Sequence, residues 1–186
     1  LSKFPYIREA RRIVPLRTIL EQDVCSDTHQ GARSQLYDDA IGIGHYAIDV
    51  HDTCDGAAGY FVATKPFQIP LGALIPAETD NLIAGGKNLG VTHITNGCFR
   101  LHPVEWNVGE VAGLLSAFAV ERSLHPAQVW SNKLLRRCFQ IQCLKRGIPC
   151  NWLTDIPPSH PDFIDIHFLV LLVGPPADDE LAFDPD

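Results

Sequence analysis

The residues best suited to chemistry in this sequence form one glycine-rich stretch between an apolar run and a long helical pattern. Gly85, Gly86, Gly90 and Gly97 lie within residues 85–102, which show no clear periodicity. Glycine lets a backbone approach a ligand without a Cβ clash. The N-terminus of the following helix adds unpaired N–H groups and a partial positive charge, which attract an anion such as a phosphate. The stretch predicts an anion or cofactor cradle, and a plain surface loop before a core helix is the alternative.

Two histidines and an aspartate form a second candidate group. His45, Asp49 and His51 alternate along residues 41–50 and just beyond, so a strand would place all three on one face. Three interpretations stay open: a metal site without an evident fourth ligand, satisfied or exposed histidines, and a substrate pocket that uses imidazole near neutral pH. We expect no metal.

Arginine and cysteine supply two further candidates. Arg8, Arg11 and Arg12 could clamp an anionic substrate, or they form a solvated charged edge. Cys98 has histidines nearby in sequence, but spacing within one loop does not establish a Cys–His dyad. The chain has no G-x-S-x-G elbow of a serine hydrolase. We expect the six cysteines to be free, mostly buried thiols in a reducing compartment.

The element that follows the glycine-rich stretch is the clearest helix. Residues 103–121 carry apolar side chains at helical spacing, which predicts one buried face. Pro103 suits the first helical position and Glu105 the first turn. Gly109 and Gly113 each cost about 1 kcal/mol relative to alanine in a helix interior, so they indicate close approach of another backbone or a ligand. The predicted buried positions are Val104, Val108, Val111, Leu115, Phe118 and Ala119.

Strands are predicted before the glycine-rich stretch and helices after it. Residues 6–14, 41–50, 60–64 and 67–69 have strand character, and together they favour an antiparallel sheet. Residues 81–84 predict a buried strand that leads into the loop. Residues 126–146 form one long helix or two short ones, with Ser131 as a possible second cap and Gly147 as the terminating residue. Residues 160–173 are a last apolar element.

Composition limits the classes of partner. The 186 residues carry a formal net charge of −7, which argues against a nucleic-acid partner because such proteins need a basic stripe. The longest apolar run, near residues 163–173, is broken by Asp165 and His167 and is too short to span a bilayer. We therefore expect a small-molecule substrate and no nucleic acid or membrane partner. The sequence does not start with a signal peptide, so the cytoplasm is the default expectation for its location.

The run IAGGKNLGVTHITNGCFRLHPVEWNVGEVAG, residues 83–113, resembles the second flavin-binding motif of the FAD-dependent oxidoreductase family. Residues 6–13, 41–51 and 66–76 are similar to earlier segments of the same family, so the resemblance covers roughly residues 5–150. The motif positions that match are Ala84, Gly85, Lys87, Gly90, Thr92, His93, Gly97, Arg100, Pro103, Gly109, Ala112 and Gly113.

The resemblance implies FAD as the cofactor and assigns roles to particular residues. Lys87, Asn88, Thr92 and His93 would lie along the flavin, and Arg100 would brace the loop or neutralise the reduced flavin. His93 and Arg100 are therefore the candidate catalytic residues. Relatives often have arginine where Lys87 stands, and lysine lacks the planar fork of arginine. The implied cofactor-binding set is Gly85, Gly86, Lys87, Asn88, Thr92, His93, Arg100, Val104, Glu105, Trp106 and Asn107, the last four by backbone N–H groups at the isoalloxazine carbonyl edge.

The same resemblance places part of the chain in a substrate domain. The strand at residues 41–50 would face the flavin, so His45 and His51 would orient a substrate or transfer protons. Arg8 and Arg11 complete the candidate substrate residues.

The first flavin-binding motif of the family has no counterpart in the sequence. A Rossmann flavoprotein carries G-x-G-x-x-G in its first βα turn, and residues 42–44 supply only G-x-G. The chain opens on Leu1, not Met. We therefore expect the C-terminal portion of the enzyme, with the site for the AMP half of FAD upstream. The alternative function is a truncated, non-catalytic fragment that needs the N-terminal part to bind FAD.

These observations predict an α/β protein with three segments. Residues 1–72 would be a mostly β segment of the substrate domain. Residues 73–125 would be the C-terminal strand, loop and helix of a Rossmann-type FAD-binding domain, and residues 126–186 a helical extension. The predicted function is flavin-mediated oxidation or reduction of a small organic substrate.

Overall fold

The computed structural model describes residue 3, residues 11–175 and residues 181–184 of the chain. The described residues form a mixed α/β structure, which confirms the predicted class. The strands are β1 (Ala40–Gly44), β2 (Ile48–Val50), β3 (Tyr60–Val62) and β4 (Phe67–Pro70). The helices are α1 (Asn96–Phe99), α2 (His102–Glu121), α3 (Pro126–Ser131), α4 (Lys133–Lys145) and α5 (Phe163–Val173), with 3-10 turns at Glu21–Asp23, Ser26–Thr28 and Leu71–Ala73.

The four strands form two antiparallel pairs where the sequence predicted one sheet. β1 pairs with β4 and β2 pairs with β3. The single strand predicted over residues 41–50 is therefore wrong, because it is broken between β1 and β2. The last pair of the first ladder is Gly44 with Phe67, and the preceding Pro66 has no N–H with which to extend it. Thr64 holds the break by donating its hydroxyl to the carbonyl oxygen of Tyr46 at 2.8 Å.

The segment predicted as a strand over residues 6–14 lies mostly outside the described residues, and its described part, residues 11–14, is not a strand. Residues 81–84 are not a strand either. The amide of Ala84 donates to Leu74 at 2.8 Å, but the backbone beside it turns through Leu71–Ala73, which offers no continuous ladder. Asn81 begins the segment with a positive φ of 55°.

Helix α2 confirms the prediction from apolar spacing. Its N-cap is Leu101, so Pro103 occupies the second helical position rather than the first. Every residue of the predicted apolar stripe is buried. A Cβ at Gly109 would lie 3.3 Å from the carbonyl oxygen of Gly85, so the small residue admits another backbone as predicted. A Cβ at Gly113 would meet no atom within 4 Å.

The C-terminal residues form three helices, and the second of the two helical alternatives for residues 126–146 is confirmed. The cap of α4 is Asn132, whose side chain accepts from the amides of Leu134 and Leu135 at 3.0 and 3.1 Å. Ser131 is the last residue of α3, so the predicted cap is wrong by one position. Gly147 follows α4 with a φ of 77°, the conformation that favours glycine at a helix end.

Two clusters of apolar side chains form the core. The larger contains residues from each of the three predicted segments, among them Ile41, Val108 and Phe139. The smaller joins α5 and the end of α4 to Tyr37 and Ala40. The proposed segment boundaries stay a prediction, as does the Rossmann-type topology. Among the described residues, no helix combines the length and apolarity that a membrane span requires.

Candidate functional site

The glycine-rich loop before α1 is closed by hydrogen bonds of its own. The amide of Leu89 donates to Gly86 at 3.1 Å, and the side-chain Nδ2 of Asn96 donates to the carbonyl oxygen of Lys87 at the same distance. Outside the loop, the amide of Ile13 donates to Asn88 at 3.0 Å. These bonds hold residues 86–90 in one shape before any ligand is present.

Two threonines fasten the end of the loop to α1. The amide of Thr92 donates to the hydroxyl of Thr95 at 2.9 Å, and the amide of Thr95 donates to the hydroxyl of Thr92 at 3.0 Å. The Thr95 hydroxyl also donates to Ile19 at 2.9 Å. Thr92, a predicted cofactor-binding residue, therefore uses its hydroxyl within the loop. Thr95 is completely buried, and its hydroxyl likewise serves to hold the loop.

The start of α2 offers fewer amides than the resemblance implied. Glu105 donates its amide to Leu101 at 2.8 Å, so its N–H is used inside the helix. Trp106 and Asn107 follow within the helix, where amides bond to the preceding turn. The assignment of backbone donors to all four residues from 104 to 107 is therefore wrong for the last three. Val104 keeps the donor, and His102, which the sequence prediction omitted, adds one at the first helical position.

The side chains at the start of α2 point to different places. Asn107 lies against Gly42 of β1, where a Cβ would sit 1.8 Å from its Oδ1. The carboxylate of Glu105 lies 3.5 Å from the Cβ position of Gly86, so it borders the loop. Trp106 is 78% exposed.

The loop and the helix start share one exposed surface, which we call the loop–helix face. Its exposed members are Gly85, Asn88, His93, His102 and Trp106. A Cβ at Gly85 would meet only the Cβ of Ala112, at 3.9 Å, so the space over this glycine is open. Lys87 is half-buried beside it.

Arg100 lies inside the protein and contacts the backbone of β2. Its side chain is 5% exposed, and Nη2 donates to the carbonyl oxygen of Asp49 at 2.6 Å. Of the two roles that the resemblance allowed, this contact favours bracing. Gly97 packs against the same residue, since a Cβ there would lie 2.8 Å from the amide nitrogen of Asp49.

The three residues expected on one strand face are separated. His51 Nε2 lies 3.3 Å from Asp49 Oδ2, so these two remain a pair. His45 lies in the break after β1, 3.3 Å from the carbonyl oxygen of Thr64 and edge-on to the Trp152 ring at 5.9 Å. The shared face is wrong because the strand is broken. Within the described residues, no three His, Cys, Asp or Glu side chains gather as a metal site would require.

The remaining candidates are two arginines and a cysteine. Arg8 lies outside the described residues, and Arg11 is exposed. Cys98 is completely buried, and burial raises the pKa of its thiol to about 12. Its Sγ donates to the carbonyl oxygen of Thr95 at 3.2 Å. A protonated thiol inside the core does not act as a nucleophile.

The cysteines agree with the sequence prediction. All six are free thiols, and four of them, Cys25, Cys98, Cys143 and Cys150, are buried. Cys54 and Cys138 are exposed. Mostly buried, free cysteines were predicted, and this is confirmed.

Asn96 is a functional candidate that sequence reasoning missed. It is completely buried, and its Oδ1 has no hydrogen-bond donor among the described residues. Its Nδ2 holds the carbonyl of Lys87. The signal in the sequence was its position directly before Gly97, inside the glycine-rich stretch.

The loop–helix face has backbone space and hydrogen-bond donors that a flavin nucleotide would use, with the Glu105 carboxylate at its border. The open backbone at Gly85 and Gly86 would let a planar ring approach closely, because no Cβ stands in the way. The amides of His102 and Val104 and the ammonium of Lys87 favour negative charge, which a flavin gains on reduction. The donor set therefore suits the cofactor that the sequence motif implied.

Comparison with known proteins agrees with this chemistry. Neither the curated proteins nor the solved structures contained a match to the chain. The model of the family described as FAD dependent oxidoreductase matches residues 1–138. The match covers most of the chain, including the glycine-rich loop and the start of α2, and the chain therefore belongs to the FAD-dependent oxidoreductases.

Proposed function

We propose that this chain holds FAD on the loop–helix face and uses it to oxidise or reduce a small organic molecule. The observation that carries the proposal is the loop from Gly85 to His93, closed by its own hydrogen bonds beside the free amides of an α-helix start. Membership of the family supports the cofactor. A bound flavin would supply the redox chemistry, by accepting or donating an electron pair.

The residues of the face would divide the work of binding. The backbone at Gly85 and Gly86 would pack against the ring. Lys87 and the α2 amides at His102 and Val104 would stabilise negative charge. Electrostatic groups that are fixed before the reaction lower its barrier most, because they need no rearrangement.

Exposed polar side chains would orient the ring. Asn88 and His93 are both exposed at the edge of the loop. An amide both donates and accepts hydrogen bonds, and a neutral imidazole does the same, so the pair suits the alternating donors and acceptors of a flavin. We propose His93 as the group nearest the reacting part of the cofactor.

The remaining features of the proposal concern fold and partners. We propose that α2 and the loop belong to a Rossmann-type cofactor domain and that the paired strands belong to a substrate domain. The substrate would be a small molecule. The net charge of −7 favours this over a nucleic acid, because phosphate backbones bind basic surfaces.

A flavin-binding titration tests the proposal. The purified chain is mixed with FAD, and the change in the flavin absorbance band is measured against FAD concentration. A shifted, saturable band is expected. Gly85→Val should weaken binding by about 1–3 kcal/mol, because its side chain fills the open space over the loop. An unshifted band at high FAD concentration contradicts cofactor binding by this chain.

The matched control is an exposed residue at the far end of the same helix. Val120→Ala shortens a side chain that is 78% exposed near the C-terminus of α2. Its FAD titration should coincide with that of the unchanged chain. Equal weakening by both substitutions would assign the effect to the helix and not to the face.

A further inference from the structure

A shallow, open groove lies on the hairpin that β2 forms with β3, whose first strand packs against α1. Asp49, His51, Asp52, Tyr60 and Phe61 line it. Phe61 is 70% exposed, so the groove has an apolar wall beside its polar floor. The groove holds a histidine–carboxylate pair that the proposed cofactor site does not use.

The pair determines which ring nitrogen can accept a proton. Asp49 Oδ2 lies 3.3 Å from His51 Nε2, which is an ion-pair distance. The negative charge of the carboxylate favours the neutral tautomer with its proton on Nε2, the nearer ring nitrogen. Nδ1, the other ring nitrogen, then keeps a lone pair, and it has no hydrogen-bond partner within the described residues. This is the arrangement of a general base oriented by a carboxylate.

The other charged groups near the pair are engaged elsewhere. Asp52 accepts the amide of Gly59 on its Oδ1 at 2.6 Å. The guanidinium of Arg100 donates to the backbone carbonyl oxygen of Asp49. The His51 ring is half-exposed, so a proton that it accepts can pass to water.

Two independent contacts fix the position of Asp49. Arg100 bonds to its carbonyl oxygen, and Gly97 packs against its backbone. Both residues come from α1 or its end, directly after the loop that would hold the flavin. An ordinary surface ion pair needs no such support, because it contributes little to stability. The structure thus positions the pair relative to the cofactor loop.

We propose that His51, oriented by Asp49, accepts the proton of a substrate hydroxyl or amine during the oxidation. This rests on the proposed function. A bound flavin would supply the oxidising power, by taking the hydrogen of the substrate carbon with its bonding electron pair. The O–H or N–H proton moves to His51 Nδ1, and the C=O or C=N bond forms. The substrate class is an alcohol or an amine, and the product is a carbonyl compound or an imine.

The first test needs no flavin. Nitrogen NMR of the histidine-labelled chain at neutral pH reports the tautomer of each ring. The Nε2–H form is expected for His51, and Asp49→Ala should convert it to a mixture of tautomers. A dominant Nδ1–H form, or a tautomer that Asp49→Ala leaves unchanged, overturns the role of Asp49 as a positioning residue.

The second test uses the FAD-loaded chain. Aliphatic and aromatic alcohols and amines are mixed with it without oxygen, and loss of the oxidised flavin band is followed. His51→Gln should slow reduction by the best substrate about 10²–10³-fold while FAD binding is retained, as expected for loss of a general base. His125→Gln, an exposed histidine paired with Asn81 at the start of α3, should reduce at the unchanged rate.

The outcomes separate the two proposals. Equal rates for His51→Gln and the unchanged chain overturn the role of His51, and so does bound FAD that no alcohol or amine reduces. If FAD does not bind at all, the proposed function fails and the base has no reaction, whereas the tautomer measured by NMR still shows whether the pair exists.

Discussion

Arg100 donates from Nη2 to the carbonyl oxygen of Asp49 at 2.6 Å, and this bond joins the C-terminal end of α1 to strand β2. The donor is a buried cation and the acceptor belongs to a strand of three residues. This contact connects the predicted cofactor-binding segment to the His51–Asp49 pair. Four predictions follow from this and from the other contacts described above.

Arg100→Ala should lower the free energy of unfolding by about 1–3 kcal/mol, because it removes the partner of a carbonyl oxygen beside the core. Urea denaturation followed by circular dichroism measures it. Arg146→Ala, at an exposed position after α4, should change the value by less than about 0.5 kcal/mol. Equal effects of the two substitutions would show that the Asp49 contact contributes nothing.

Gly97→Ala should destabilise the protein by about 1–3 kcal/mol, since the new methyl group would overlap the backbone of Asp49. The control substitution should change the stability in the opposite direction. Gly113→Ala should stabilise by up to about 1 kcal/mol, because alanine is the better helix former and the site is open. Thermal denaturation of both variants compares them directly, and a stabilised Gly97→Ala protein would contradict the close packing of β2 on α1.

Asn132→Ala should cost about 1 kcal/mol, because it removes the acceptor of two amides at the start of α4. Ser131→Ala should cost less than about 0.5 kcal/mol, since Ser131 ends α3 and its exposed hydroxyl bonds to the carbonyl oxygen of Gln128. Chemical denaturation of the two neighbours decides which residue is the cap. A larger loss at Ser131 would restore the prediction made from the sequence.

Stability should fall as the solution is acidified from pH 6.5 to about 4 because of His167. Burial lowers the pKa of this imidazole to about 4, from an ordinary value of 6.5. The unfolded chain therefore binds a proton in this range that the folded chain does not, and the folded state loses of the order of 2–3 kcal/mol. Above pH 6.5 the group has no effect on the pH dependence.

The histidine can be separated from the acidic residues by substitution. His167 packs against Phe163 in α5, with ring centroids 4.4 Å apart, so His167→Phe keeps an aromatic ring without a titrating group. Urea denaturation at several pH values should show a smaller loss between pH 6.5 and 4 in the variant. The same loss in both proteins would assign the pH dependence to other residues.

Local patterns in the sequence predicted the elements that depend only on their own residues. The apolar spacing of α2 and the glycine after α4 are such signals, and both were confirmed. The break between Gly44 and Ile48 was not predicted, because it depends on Pro66, which lies on the other side of the pairing. The apparent strand of residues 81–84 is an apolar run whose neighbours provide no ladder.

In the candidate site, too, local features were predicted from the sequence and tertiary contacts were not. The glycine-rich loop was predicted from its glycines and its motif, and its role as a cofactor site stays a prediction. The inward roles of Thr92 and Arg100 were not predicted, because their partners, Thr95 and Asp49, are set by tertiary packing. The separation of His45 from His51 has the same cause, since alternation along a strand fails once the strand turns.

The close packing of Gly97 on the backbone of Asp49 has a mechanical consequence. Helix α1 cannot shift without carrying β2 with it, because no side chain lies between the two backbones to absorb the displacement. A change of shape on one side is thus conveyed to the hairpin that β2 forms with β3. Cys54, an exposed thiol at the tip of that hairpin, gives the chain a natural attachment point for a probe that would sense such a displacement from a distance.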